Sequence, residues 1–396
     1  MEYIFSDKLA SMKPSAIREI FKSLADPTII SFAAGNPSPL SFPSEEMGKI
    51  AADIFANNAT MALQYGTTEG YAPLTEAVDA RLAQRFGISG DADQTIITSG
   101  GQQGIELACK ALCNEGDAVI CENPTFIGAL NAFRSNGAAT VGVPLSDDGI
   151  DTEILEKTIS ATPNAKLLYL IPTFHNPAGI TSTLENRKKV YDIAKKHGLI
   201  ILEDNPYGEL RFRGEEIPTI KSMDTEGLVI YCSSFSKILS AGMRVGFVVA
   251  PDEVASKMVV AKQSEDVHTN IFFQMLCYRF MTECDLDGHI QKIRDLYRRK
   301  CDLMLECLER ELPASIKFTR PDGGLFIWVT LPDGVDATAF LKECVAAKVM
   351  LVPGATFNAD TTQGSQSFRL NYSTPSDEQI VEGIARVGTV ARRFVK

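Results

Sequence analysis

Along the middle of this chain, short apolar runs alternate with amphipathic stretches. The runs fall at 95–98, 118–121, 139–143, 166–171, 199–203, 228–232 and 245–250. Helical spacing of apolar residues at about 102–113, 126–136, 151–160 and 184–197 separates several of them. Short apolar runs read as buried strands, and the helices between them supply the crossovers that parallel strands need. The pattern predicts an α/β fold with a seven-stranded, mostly parallel, doubly wound sheet. The last two runs lie too close for a helix between them, so the final strand is expected to be antiparallel. Ligands of such sheets bind beyond the carboxyl ends of the strands.

From about residue 285 the pattern changes. A long amphipathic helix at roughly 288–312 leads to 323–331, 337–347 and a last strand near 368–372. This reads as a smaller α+β domain. Ile17, Ile20, Phe21 and Leu24 recur at helical spacing near the start, in an arm expected to pack on the second domain or over the site. The expected division is an arm over 1–40, a large domain over 41–285 and a small domain over 286–396.

Composition narrows the class. Hydrophobic residues make up 45% of 396 residues and charged ones 22%, as in globular enzymes. No run approaches the ~20 apolar residues of a membrane span, so no membrane partner is expected. Residues 1–22 carry charges throughout, which argues against a secretory signal. A formal charge of −11 argues against a nucleic-acid surface and leaves room for a local basic pocket. The nine cysteines include no C-x-x-C pair, and the four histidines are scattered, so no metal is expected. Cys109 and Cys113, four apart on a predicted helix, read as core residues. A reducing cytoplasm fits this usage.

The chemistry gathers in loops after the predicted strands. The run Ser233-Ser234-Phe235-Ser236-Lys237 is followed by Arg244. A lysine that forms an imine with a carbonyl cofactor must be partly desolvated, so that its amine is neutral when it reacts. Hydroxyls and a guanidinium beside it suit a phosphate. Together they suggest pyridoxal 5′-phosphate, although an isolated S-x-S-K is more often a solvated loop. Ser99-Gly100-Gly101-Gln102-Gln103-Gly104 opens a helix and offers backbone N–H groups to an anion; alone it is equally a tight turn. Asn176, after the 166–171 run, could reach inward. Asp204 follows the next and, if buried, needs a cation or donors; its plain alternative is a helix cap.

These residues carry a resemblance. The chain resembles the pyridoxal-phosphate-dependent enzymes of fold type I, specifically the class I/II aminotransferases, and most closely the 2-aminoadipate and kynurenine aminotransferase group. The likeness runs through Ser31-Phe32-Ala33-Ala34-Gly35-Asn36-Pro37, Gln64-Tyr65-Gly66, 99–103, Asn123-Pro124-Thr125-Phe126, Asn176-Pro177, Asp204 with Tyr207, 234–237, Arg244, Gly323-Gly324-Leu325-Phe326-Ile327-Trp328 and Arg369.

The resemblance implies roles. Lys237 would bind the cofactor covalently and then act as acid and base. Asp204 would keep the ring nitrogen protonated, and Asn176 and Tyr207 would donate to the ring's phenolic oxygen. Phe126 would stack on the ring, where many relatives have tyrosine. Gly101, Gln102, Ser234, Ser236 and Arg244 would hold the phosphate, with Tyr65 reaching it from the partner of a homodimer with shared active sites. Arg369 would clamp the substrate α-carboxylate, helped by Asn176 and the Gly35 backbone. Arg18, in Ser15-Ala16-Ile17-Arg18-Glu19-Ile20, would meet a distal carboxylate.

The expected activity moves an amino group from an L-amino acid to a 2-oxo acid such as 2-oxoglutarate. Broad specificity is expected, covering 2-aminoadipate and aromatic or aliphatic amino acids. A lyase or decarboxylase on the same scaffold is the alternative. A non-enzymatic cofactor-sensing regulator is a further one, disfavoured because the likeness begins almost at Met1, ahead of which no DNA-binding module would fit.

Overall fold

The computed structural model describes residues 3–10, 28–90 and 92–395. Arg18 and the apolar positions of the N-terminal arm lie outside the described residues. The first strand, β1 (Ile30–Ser31), is followed by a run of strands from β2 (Asp93–Thr98) and β3 (Ala118–Asn123) to β4 (Ala139–Ser146) and β5 (Gly149–Ile150). Then come β6 (Ala165–Leu170), β7 (Ile200–Asp204), β8 (Val229–Ser234) and β9 (Gly246–Pro251).

Strands β2 to β9 form one eight-stranded sheet, in the order β2-β9-β8-β7-β6-β3-β4-β5. The pairs from β8 through β4 are parallel, whereas β9 runs antiparallel to both β2 and β8. The sheet thus has one strand more than the seven expected. The addition, β5, is two residues pairing antiparallel with β4 across a turn. Two residues are too few to make an apolar run.

Helices between the strands follow local signals. Leu184–His197 begins where the Thr183 hydroxyl accepts from Asn186 N and ends at Gly198, whose φ of 64° is left-handed. Gly101–Leu112 lies close on the sheet because of Gly104. A Cβ there would meet Val248 at 2.6 Å and Cys232 Sγ at 2.8 Å. That close approach brings the helix N-terminus to the strand ends.

The remaining strands are β10 (Lys317–Phe318), β11 (Phe326–Thr330), β12 (Val349–Met350), β13 (Val352–Pro353) and β14 (Ser367–Asn371). Four of them make an antiparallel sheet ordered β10-β11-β14-β13, beside the packed helices Leu286–Glu311 and Asp377–Phe394. β1 pairs in parallel with β12, and Phe32 bonds to both Met350 and Asn371. The early chain is therefore stitched to this second sheet, which delivers Gly35 to the space between the two sheets. One apolar cluster joins Ile54, Leu74 and Val249 to Ile293, Phe326 and Ile384. Among the described residues no helix is long and apolar enough to cross a membrane.

Candidate active site

A cleft of about 360 Å³ opens beyond the carboxyl ends of β6, β7 and β8. Its lining brings together Gly35, Gly101, Gln102, Phe126, Asn176 and Asp204 with Tyr207, Ser234, Ser236, Lys237, Arg244 and Arg369. The doubly wound sheet explains the convergence, since consecutive strands end at one rim.

Lys237 closes a single helical turn, Phe235–Lys237, directly after β8. Its Nζ donates to the Gly35 carbonyl at 2.8 Å and lies 5.9 Å from the centre of the Tyr207 ring. The residue is only partly buried, but its amine sits inside the cleft. Desolvation lowers its pKa to about 8; Arg369 and Arg244 push the same way, and Asp204 opposes them. The amine is thus accessible in its neutral form near physiological pH.

Asp204 ends β7 and is 4% exposed. Tyr169 Oη on the neighbouring β6 donates to its Oδ2 at 2.7 Å. Burial raises the carboxyl pKa to about 7, against the opposing pull of Tyr169. A buried carboxylate with so few donors is poised to pair with a cation.

On the far side of Lys237 the chain gathers a cup of hydrogen-bond donors. Arg244 is held in the left-handed region at φ 55° and ψ 48°, a strained state for a non-glycine residue. Its guanidinium reaches the neutral acceptors Ala241 O at 3.2 Å and Ser99 O at 3.3 Å. Ser234 and Ser236 share a 2.7 Å hydroxyl contact, and the N-terminus of Gly101–Leu112 opens beside them. The turn before that helix is braced from behind. Ser99 Oγ donates to Asp266 at 2.6 Å, and the fully buried Lys262 binds Asp266 at 2.8 Å and Gln103 at 2.9 Å.

The other end of the cleft holds Arg369, in the middle of β14 and 2% exposed. Its Nη1 donates to Asn176 Oδ1 and its Nη2 to Ala33 O, both at 2.8 Å. Phe326 and Phe357 lie 4.2 and 5.0 Å from the guanidinium carbon. Burial lowers its pKa to about 10, so it stays charged at neutral pH. Its buried Nε has no protein partner among the described residues. Among the described residues no carboxylate pairs with this guanidinium, whose hydrogen-bond partners are neutral oxygens.

A model of the aminotransferase class I and II family matches residues 27–387. The chain belongs to that family. It is an aminotransferase. The aromatic-amino-acid aminotransferase 1 of Thermococcus litoralis is 39% identical over all of this chain and 95% of its own. The solved kynurenine aminotransferase of Pyrococcus horikoshii, in complex with PMP, shares 40% identity with a TM-score of 0.95, over 99% of this chain and 98% of its own. The α-aminoadipate aminotransferase of Thermus thermophilus, solved with N-(5′-phosphopyridoxyl)-L-leucine, shares 37% at a TM-score of 0.89, over 99% and 98%.

One expected site residue of the aminotransferase, Tyr65, is not in this cleft. Tyr65 is 81% exposed and rests edge-on against His268, with ring centroids 5.7 Å apart. Arg18 lies outside the described residues. Conversely, the cleft has walls to which sequence reasoning gave no role in the site: Ile105, Ile171 at the end of a strand run, and Phe326, noted only within the family likeness. Beneath its floor lie further unnamed groups, Tyr169, Glu122 and His175, all buried. Tyr169 and Glu122 sit in apolar strands, where they read as core, and His175 reads as part of a loop.

Proposed function

We propose that this aminotransferase works with pyridoxal 5′-phosphate held in the cleft. One observation carries the reading: a lysine amine tuned to about 8 shares a cleft with a buried carboxylate tuned to about 7. The site's own features fit the group. Gly100, at φ 84°, leaves room for the cup: a Cβ there would meet Arg244 Nη2 at 2.3 Å. Ser234, Ser236, Arg244 and the Gly101 and Gln102 amides would hold the phosphate. Asp204 would face the ring nitrogen, and Phe126 would cover a ring face. Asn176 spends its Oδ1 on Arg369, which leaves its Nδ2 to donate, with Tyr207, to the ring oxygen.

When bound, the cofactor supplies an electron sink that acidifies the amino acid's Cα–H. The chain's own residues do the rest. Arg369 would fix the α-carboxylate through its open Nε side, with Asn176 and the Gly35 backbone beside it. The Lys237 amine, partly neutral near pH 8, would take the Cα proton and hold it for return to the substrate. The buried surroundings keep Asp204 acting at low dielectric, where its charge counts most.

The substrates would be an L-amino acid and a 2-oxo acid, 2-oxoglutarate among them. The aromatic, kynurenine and aminoadipate activities in the relatives' names support a broad range. Arg18 would recognise a distal carboxylate. Exposed Phe55, Met61, Leu63 and Tyr65, at 49%, 51%, 73% and 81%, form an apolar surface that supports a homodimer in which Tyr65 reaches the partner's phosphate. Nine free cysteines support a cytoplasmic location.

The test is a panel of amino acids added singly to the cofactor-loaded enzyme, with the visible absorbance followed. Loss of that absorbance with glutamate, 2-aminoadipate, and phenylalanine or leucine is expected. Arg18→Ala should raise KM for the acidic substrates and spare the apolar ones. Equal losses for both classes would remove Arg18 from the substrate site, and no response to any amino acid would overturn the reading.

A further inference from the structure

We infer that Tyr169 is a positioning residue for transamination, whose hydroxyl anchors one oxygen of Asp204 and holds that carboxylate in its charged form. The inference rests on the cofactor reading above. Tyr169 is 0% exposed, and its ring packs edge-on against Phe133 with centroids 5.4 Å apart. A fully buried phenol must place its hydroxyl, and this one is spent on Asp204 Oδ2 at 2.7 Å. Among the described residues no other side chain donates to that carboxylate.

Charged and titratable groups approach Asp204 from every neighbouring element. Tyr169 comes from β6, Glu122 from β3, Tyr207 from the turn after β7, Cys232 from β8 and Lys237 from the turn after it. Glu122, 3% exposed, is a second buried carboxylate, and repulsion from it favours protonation of Asp204. Its Oε2 is engaged elsewhere. It accepts from Ile171 N at 2.7 Å and lies 3.2 Å from His175 Nε2. His175 Nδ1 accepts from Ala178 N at 3.2 Å.

Burial and Glu122 therefore disfavour the Asp204 charge, while Tyr169 and Lys237 favour it. Hydrogen bonds to a charged form stabilise that form. Without the phenol O–H, Asp204 keeps a proton that it would otherwise leave on the ring nitrogen. A neutral ring is a weaker electron sink. It would also withdraw less charge from the Lys237 nitrogen that is to hold the cofactor, making that nitrogen more basic.

Tyr169→Phe tests this, since it removes one hydroxyl and keeps the packed ring. In a pH titration of the bound cofactor's visible absorbance, the midpoint is expected to rise by about one unit, a tenfold change in proton affinity. The expected loss in kcat is roughly 10- to 100-fold, with KM within a few fold. The same substitution in an Asp204→Asn background should leave the midpoint where Asp204→Asn alone puts it. Identical midpoints for wild type and Tyr169→Phe would overturn the inference. So would equal shifts in both backgrounds, which would mean that Tyr169 acts by packing alone. Failure of the wild-type protein to take up pyridoxal phosphate would instead overturn the cofactor reading, and this inference with it. Thermal melting of each variant separates these outcomes from misfolding.

Discussion

Asp204 is stationed at a cost to the fold, and the sign of that cost can be worked out. Its carboxyl is raised from 3.8 to about 7, chiefly by burial. Between those values the unfolded chain has released a proton that the folded chain keeps. Stability of the cofactor-free protein therefore falls as pH rises through that window, and the penalty is complete above it. Asp204→Asn should raise the melting temperature of cofactor-free protein at pH 8. The gain, on the order of a few kcal/mol at most, should fade as pH falls toward 4. With pyridoxal phosphate bound the order should reverse, because the ring cation then answers the wild-type charge. Melting curves with and without cofactor check both signs. A variant less stable than wild type in both states would remove the electrostatic explanation. Lys237 obeys the opposite rule. Its lowered pKa means that the folded chain resists protonation, so its penalty is full below about 8 and fades as pH rises toward the ordinary lysine value.

Among the elements, the helix Gly101–Leu112 shows what one glycine does. Gly100 sits at φ 84° under the Arg244 guanidinium, and Gly246 packs its Cα against the same backbone. Gly100→Ala would strain the turn and push Arg244 out of the cup. The expected result is roughly tenfold or greater weakening of pyridoxal phosphate affinity, as befits a lost charge-assisted contact. A spectrophotometric cofactor titration measures it, and an unchanged affinity would show that the cup is not built this way. Turn and cap residues also explain what could be read from the chain. The helix Leu184–His197 has the same bounds in sequence and structure because Thr183 and Gly198 mark its ends. Loop residues such as Asn176 and Lys237 stood out only jointly, because several loops after apolar strands carried matching chemistry and the family resemblance gave each a role. Tyr169 and Glu122 were illegible, because a polar residue inside a strand carries no mark of what it faces. β5 was too short to register. Ile271–Glu283 lacks a clear polar face, with apolar residues on most sides, so its periodicity is weak.

At the scale of the whole molecule, the residues proposed to hold the phosphate all come from one chain. Arg244 among them is exposed. Tyr65, which the family pattern assigns to the phosphate, instead stands on the surface at 81% exposure, steadied by His268. It follows the helix Ala59–Leu63, where Met61 and Leu63 are also exposed, and nearby Phe55 stacks on Phe272 at 4.8 Å. An aromatic hydroxyl placed outward among apolar residues is wasted on a monomer and useful to a partner. Each active site of the dimer would then need Lys237 from one protomer and Tyr65 from the other. Two variants, Lys237→Ala and Tyr65→Ala, each poorly active alone, should recover activity when co-expressed. In a mixed dimer one site combines the two intact residues and the other has lost both. With random pairing, about half of the dimers are mixed and each carries one working site, so roughly a quarter of wild-type activity is expected. Separation of the mixed species by two different affinity tags, followed by a transamination assay, gives the measurement, with about half of wild-type activity per purified mixed dimer expected. Mixed dimers no more active than the better parent would place Tyr65 outside the shared site.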